Sequence, residues 1–217
     1  MYQNNQKAQQ NECLICFSPI YKDPLLLHYV QKIPICKKCL SQFDVIDKHI
    51  LFYNHPLYIL YRYNSFFQTL LYQYKGLYDH ALKDVFLCYF INEFKERYKD
   101  YIVIVAPSND EENEKRGFAP MEEIASTFSR RVFTGLYKKE RYKQSELSYT
   151  ERKSVQGKIE MRNGNTIKNK KVLIIDDVLT SGSTLLACLS LVLKYNPQRV
   201  ELLVLSTKQN IEELRFA

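Results

Sequence analysis

One stretch of thirteen residues constrains this chain more than any other: Val172-Leu-Ile-Ile-Asp-Asp-Val-Leu-Thr-Ser-Gly-Ser-Thr184. Its opening apolar run, with Val172, Ile174 and Ile175 β-branched, predicts a central strand buried on both faces. Asp176 and Asp177 follow at the strand end where open α/β sheets gather their ligands. Two adjacent carboxylates accept hydrogen bonds from a vicinal diol, such as the 2′- and 3′-hydroxyls of a ribose. Thr180, Ser181, Gly182, Ser183 and Thr184 then offer hydroxyls and backbone N–H groups at a helix start, which predicts a phosphate cradle reinforced by the helix dipole. Gly182, with no side chain, lets the backbone approach the anion.

Three other readings compete with this one. An apolar strand ending in Asp-Asp is also found as the metal-binding strand of P-loop NTPases, but no GxxxxGK[ST] stands upstream. Receiver domains place paired acids at a strand end without following them with a hydroxyl-rich loop. A surface turn with helix-capping residues accounts for Ser183 but not for the acidic pair joined to that loop.

The flanking pattern extends the strand into a domain. Tyr101–Ala106 is a short apolar run stopped by Pro107, after which a polar loop is expected to Gly117. Met121–Arg130 reads as helix, Val132–Gly135 as strand, Ser183–Asn196 as a helix ended by Pro197, and Val200–Leu205 as strand. Alternating strands and helices with continuous apolar runs predict the α/β class, a parallel sheet covered on both faces. Upstream, Tyr58, Tyr61 and Tyr63 read as strand, Phe66, Phe67, Leu70, Leu71 and Tyr74 recur at helical spacing, and Leu82–Tyr98 reads as an amphipathic helix. These aromatic residues can stack on nucleobases, but they fit a core better. Apolar residues make up 46% of the chain, enough for such a core. No apolar run reaches the length of a membrane span, and MYQNNQKAQQNE lacks the layout of a secretory signal, so no membrane insertion and a cytoplasmic location are expected.

In a reducing compartment, cysteines in pairs indicate metal rather than disulfides. Cys13-x2-Cys16 and Cys36-x2-Cys39, separated by 19 residues, have the spacing of a closed four-thiolate zinc site, structural rather than catalytic. His28, between the pairs, is superfluous for coordination. Cys88 and Cys188 lie alone in apolar patterns and read as small buried hydrophobes.

Charge is distributed unevenly. Tyr137–Lys171 holds 11 Lys/Arg and 4 Glu, which equals the net +7 of the whole chain. That concentration predicts a local anionic partner, with single-stranded DNA as the candidate and Tyr137, Tyr142 and Tyr149 available for base stacking. The expected organisation is a flexible tail over 1–12, a zinc knuckle over 13–50 and an α/β domain over 51–217, with 137–171 a basic mobile loop.

The Asp176–Thr184 stretch resembles the 5-phosphoribosyl-1-pyrophosphate (PRPP) motif of type I phosphoribosyltransferases. With the cysteine knuckle ahead of it, the chain as a whole resembles the ComF family of competence-associated proteins. Tyr74-Lys75-Gly76 with Asp79, Arg116-Gly117-Phe118, and Gln144 with Glu151-Arg152 add to the likeness. The resemblance implies a type I phosphoribosyltransferase-like domain that binds PRPP with Mg²⁺. Pyrophosphate would sit in the loop after Pro107, the basic segment would close as a lid, and Lys115, Arg116, Arg152 and Lys153 would be its charge partners. It further implies assistance to inward passage of single-stranded DNA in natural transformation, beside a DNA-uptake helicase. Two departures stand out: the acids Asp110, Glu111, Glu112 and Glu114 crowd the expected pyrophosphate loop, and Ala119 and Pro120 follow Phe118 where family members continue with an amide residue; Thr180 also occupies the position where hypoxanthine-type salvage enzymes carry an acid. A metabolic phosphoribosyltransferase acting on a free base or amine, and a non-catalytic interaction module with a degenerate pocket, are the alternatives.

Overall fold

The computed structural model describes residues 12–20, 34–138, 159–210, 212 and 214. A six-stranded sheet dominates, in the order β1-β2-β8-β7-β3-β4, where β1 is Val45–Phe52, β2 His55–Arg62, β3 Tyr101–Val105, β4 Val132–Phe133, β7 Lys171–Leu179 and β8 Arg199–Thr207. Only β1 runs antiparallel to its neighbour; β2, β8, β7, β3 and β4 are mutually parallel. β1 and β2 join through Tyr53 and Asn54, both with positive φ, as a two-residue hairpin turn requires.

The parallel strands alternate between two cores. Leu173 and Ile175 of β7 join Val103, Val105, Leu203 and Leu205 on one face. There they meet α2 (Ser65–Gly76), α3 (Ile91–Arg97) and α5 (Pro120–Ser126) through Phe67, Leu70, Tyr74, Phe94 and Ile124. Val172 and Ile174 face the other way, with Ile104, Leu202 and Val204, onto α6 (Ser183–Leu193) through Leu185, Cys188 and Val192. Burial of each such side chain contributes about 1.5–3 kcal/mol. The predicted doubly covered parallel sheet is therefore present, with β7 between β8 and β3.

Three expectations need correction. Leu82–Tyr98 is not one helix. A 3₁₀ turn at His80–Asp84 passes through successive i to i−3 bonds at Val85, Cys88 and Phe90 before α3 begins. Val85, Phe86, Leu87, Cys88 and Phe90 are all buried, so this segment has no polar face for an amphipathic helix to turn outward. The expected polar loop before Gly117 is a helix, α4 (Asp110–Arg116). The basic segment is structured at both ends: β5 (Leu136–Lys138) and β6 (Ile159–Met161) form an antiparallel ladder, and a 3₁₀ turn at Gly164–Ile167 leads into β7. Residues 139–158, with Gln144, Glu151, Arg152 and Lys153, lie outside the described residues.

The cysteine module continues into the sheet. α1 (Lys37–Leu40) ends at a turn, and β1 starts at Val45 and crosses residue 50, so the change from module to sheet falls near Asp44. Cys13, Ile35, Cys39 and Phe43 are buried in the same core as α2. Among the described residues, no helix is long and apolar enough to cross a membrane.

Candidate functional site

β7 carries the acidic pair to the carboxyl edge of the sheet. Asp176 and Asp177 are part-buried there, and their carboxylates fold back on the chain: Asp177 N donates to Asp176 Oδ1 (2.9 Å) and Val178 N to Asp177 Oδ1 (2.7 Å). Burial, then the neighbouring charge of Asp177, pushes the Asp176 carboxyl up to about 8. Burial acts on Asp177 in the same direction, but the Lys75 ammonium beside it wins and holds that carboxyl below the ordinary range. Lys75 Nζ is ion-paired with Asp177 Oδ2. The two carboxyls are therefore driven apart, Asp176 toward its protonated form and Asp177 toward its charged form beside the Lys75 ammonium.

The loop that follows is open and rich in donors. Thr180 and Ser181 are exposed, and Gly182, at φ 77°, lies in the left-handed region immediately before α6. Ser181 Oγ and Ser183 Oγ are 3.0 Å apart, and Gln209 Nε2 donates to the Thr180 carbonyl, tying the loop to the end of β8. Asp176, Asp177 and Thr180–Thr184 thus lie together where β7 passes into α6.

A cleft of about 640 Å³ adjoins this edge, lined by Tyr63, Leu71, Tyr72, Lys75, Tyr78 and Lys115 among others. Arg116 lies at its base with only 7% of its side chain exposed. Its Nε donates to the Lys75 carbonyl (2.8 Å), its Nη1 to Asn113 Oδ1 (3.0 Å), and its Nη2 is 3.7 Å from Glu112. Arg116 is thus engaged in holding the backbone of Lys75. Lys115 is exposed on the last turn of α4. Asp110, Glu111, Glu112 and Glu114 all face solvent, and the first three sit on the opening turn of α4, where acids favour the helix dipole.

Lys75 is the member of this site that sequence reasoning did not select. It stood among the family-like residues, but its partner lies 102 positions away, beyond any local spacing signal.

The second constellation is the cysteine set. The Sγ atoms of Cys13, Cys16, Cys36 and Cys39 all lie within 4.8 Å of one another, and those of Cys16 and Cys36 are 3.7 Å apart. A tetrahedral zinc with Zn–S of about 2.3 Å needs S–S separations of about 3.8 Å, so the set fits a metal ion. Hydrogen bonds from Ser18 lower the Cys16 thiol to about 6, whereas burial raises that of Cys39.

A family model described as the phosphoribosyl transferase domain matches residues 96–215, more than half of the chain. The chain belongs to this family. The match takes in β3, α4, β7, the hydroxyl loop and α6 of the phosphoribosyl transferase domain; the cysteine module, β1, β2 and α2 precede it. No curated protein matches this chain. Among solved structures, a hypoxanthine phosphoribosyltransferase from Staphylococcus aureus is 18% identical over 58% of this chain, with a TM-score of 0.37. The match spans 66% of that enzyme, just under two thirds. A purine phosphoribosyltransferase from Pyrococcus horikoshii is 20% identical over 58% of this chain and 73% of its own, with a TM-score of 0.35. The hypoxanthine phosphoribosyl transferase of Trypanosoma cruzi is 13% identical over 66% of this chain and 71% of its own, with a TM-score of 0.37.

Proposed function

We propose that this chain binds PRPP and transfers its phosphoribosyl group to an acceptor. One observation carries the reading: β7 delivers Asp176 and Asp177 to the sheet edge, and Gly182 then turns Thr180–Thr184 into the N-terminus of α6. The two carboxyl groups hold the ribose 2′- and 3′-hydroxyls. The hydroxyls and N–H groups of Thr180, Ser181, Gly182, Ser183 and Thr184 hold the 5′-phosphate, with the dipole of α6 behind them. Lys115, with Arg152 and Lys153, faces the pyrophosphate, while Arg116 fixes the backbone that presents Lys75. An acceptor lone pair forms the bond to the anomeric carbon as the bond to pyrophosphate breaks, and that electron pair leaves with pyrophosphate. Asp177, the charged member of the pair, would offer hard oxygen donors of the kind magnesium takes, and magnesium bound with PRPP would supply positive charge for the leaving group.

The test is calorimetric titration of Mg–PRPP. Asp177→Asn should weaken binding by about 1.5–3 kcal/mol, as expected for one charge-assisted hydrogen bond. Equal affinity in wild type and in the Asp176→Asn/Asp177→Asn double variant would place the site elsewhere.

The combination of a four-cysteine cluster with this domain supports the finer reading: a cytoplasmic ComF-like factor that holds one structural zinc and assists uptake of single-stranded DNA alongside a helicase. The +7 segment supports it too, since a lid over pyrophosphate needs two or three cations and 11 are present. A salvage enzyme acting on a free base needs neither feature. Repeating the PRPP titration with single-stranded DNA present separates the two, because only the uptake factor should bind both.

A further inference from the structure

The parallel strands β3, β4, β7 and β8 begin together at the edge of the sheet opposite the acidic pair. Tyr101, Lys171 and Arg199 stand side by side in register, and Arg131 joins them, its carbonyl accepting from Val103 N at 2.9 Å. The turns behind these strand starts are laced together: Gln198 N donates to the Lys170 carbonyl (2.9 Å) and Asn169 N to that of Asn196 (3.1 Å). Residues 98–101, 129–132, 168–171 and 193–199 make up this amino edge, and they hold eight Lys/Arg and a single acid, Asp100.

Two of these cations are committed. Lys99 pairs with Glu96 at 3.2 Å, and Arg199 shares the buried Glu201 with Arg97. Arg130, Arg131, Lys168, Lys170 and Lys194 are exposed, and among the described residues no carboxylate pairs with them; Lys171 has its ammonium 5.9 Å from the Tyr101 ring. Helix ends explain part of this charge, since Lys194 caps the C-terminus of α6, where a cation suits the dipole. They do not explain Lys168, Lys170 and Lys171, which follow only a 3₁₀ turn. Like charges gathered this closely repel one another, and an anion seated among them would relieve that repulsion. Nor can the charge serve a phosphate at the far edge. Lys171 and Asp176 are five residues apart on one strand, roughly 17 Å. That is about twice the screening length at physiological salt.

We propose that this amino edge docks the sugar–phosphate backbone of a nucleic-acid duplex. From β4 to β8 is three strand spacings, roughly 14 Å. Cations at Arg131 on one side and at Lys170 and Lys194 on the other can therefore meet phosphates of both strands across a groove about 12 Å wide. Single strands are held by stacking bases on aromatic rings, and this edge has none to offer. Tyr98 and Tyr101 are buried, and Tyr195 lies over Gly164, where a Cβ would meet its ring at 2.2 Å. A protein partner would need an apolar centre to the interface, but Leu193 is the one large apolar side chain exposed in these four segments. Contact is then to phosphate alone, so the base sequence should not matter. None of these cations belongs to the ribose anchor or to residues 139–158, so duplex binding here stands or falls apart from PRPP binding.

The probe is a labelled DNA duplex of about 20 base pairs and mixed sequence, long enough to cross the edge, titrated with the full chain by fluorescence anisotropy. With about four phosphates contacted, affinity should fall roughly hundredfold between about 50 and 200 mM salt. Lys168→Gln/Lys170→Gln/Lys194→Gln, at exposed positions, should keep the wild-type melting temperature. It should weaken binding about tenfold or more at low salt and flatten the slope of log affinity against log salt by about 2–3. The charge-keeping Lys168→Arg/Lys170→Arg/Lys194→Arg should retain the slope. Duplex RNA of the same length presents the same phosphate chemistry, and a slope lost in the Gln variant with either duplex supports the proposal. An unchanged slope with both duplexes would overturn it, as would equal loss in the Arg variant. Tighter binding of a single strand of the same length, itself weakened by the Gln variant, would also overturn it. So would displacement of the duplex by polyglutamate of equal charge, which would assign the face to an acidic protein.

Discussion

Burial raises the Asp176 carboxyl to about 8, while Lys75 holds its neighbour Asp177 down. Between the ordinary carboxylate value of about 4 and this raised value, the folded chain holds a proton at Asp176 that the unfolded chain has lost. Stability conferred at this position is therefore full at acid pH and lost as pH rises through the raised value. Asp177 acts in the opposite sense: its contribution is present above the ordinary value and lost as pH falls through its depressed one. Asp176→Asn should remove the first slope. Its melting temperature should exceed that of wild type near pH 8 and converge with it near pH 4. Scanning calorimetry across that range checks the sign; a gap that widens toward acid would refute it. The acidic pair was legible in the sequence because strand, acids and hydroxyl loop are contiguous. The Lys75 contact was not, because only the packing of α2 against the sheet edge creates it.

Among the elements, α4 shows how a helix is missed despite clear signals. Asn109 caps it, its Oδ1 accepting from Glu111 N at 3.0 Å. Acids fill the first turn, Lys115 and Arg116 the last, and Gly117 closes it at φ 80°. The segment has no buried residue, so hydrophobic periodicity carried no trace of it, and the capping chemistry alone announced it. A Cβ at Gly117 would meet nothing within 4 Å, so the cost of Gly117→Ala is purely conformational. It should destabilise the chain by about 1 kcal/mol in denaturant titration and should displace Lys115 and Arg116 enough to weaken Mg–PRPP. A neutral substitution would mean that the left-handed cap does not matter. The cysteine cluster is the opposite case, since the spacing of the two pairs named its four members. Elemental analysis of protein purified without added metal should find one zinc per chain. Because Cys13 and Cys39 are buried against the core of α2, chelation or Cys39→Ser should also lower the melting temperature by several degrees. Metal content below about a tenth of an equivalent, with all four thiols reactive, would exclude the site.

Over the whole molecule, the parallel strands were readable because each is apolar on both faces, whereas β1 was not. Its residues are mostly exposed and include Asp47, Lys48 and His49, so it gains its conformation from pairing with β2 at the sheet's edge. The same distinction between what the core dictates and what it merely supports applies to the basic segment. Lys138 faces Ile159 across the β5–β6 ladder, and Leu136 and Ile159 anchor that ladder in the core beneath α6. A variant in which Asn-Gly replaces 139–158 should keep its melting temperature, since loop-closure entropy changes only slowly with length. It should still bind ribose and 5′-phosphate, but with a flatter dependence of single-stranded DNA affinity on salt; an unchanged salt slope would assign DNA binding elsewhere. If the melting temperature is found unchanged, the β5–β6 ladder makes the sequence between its strands a cassette, whose length and charge can be exchanged while the sheet is kept.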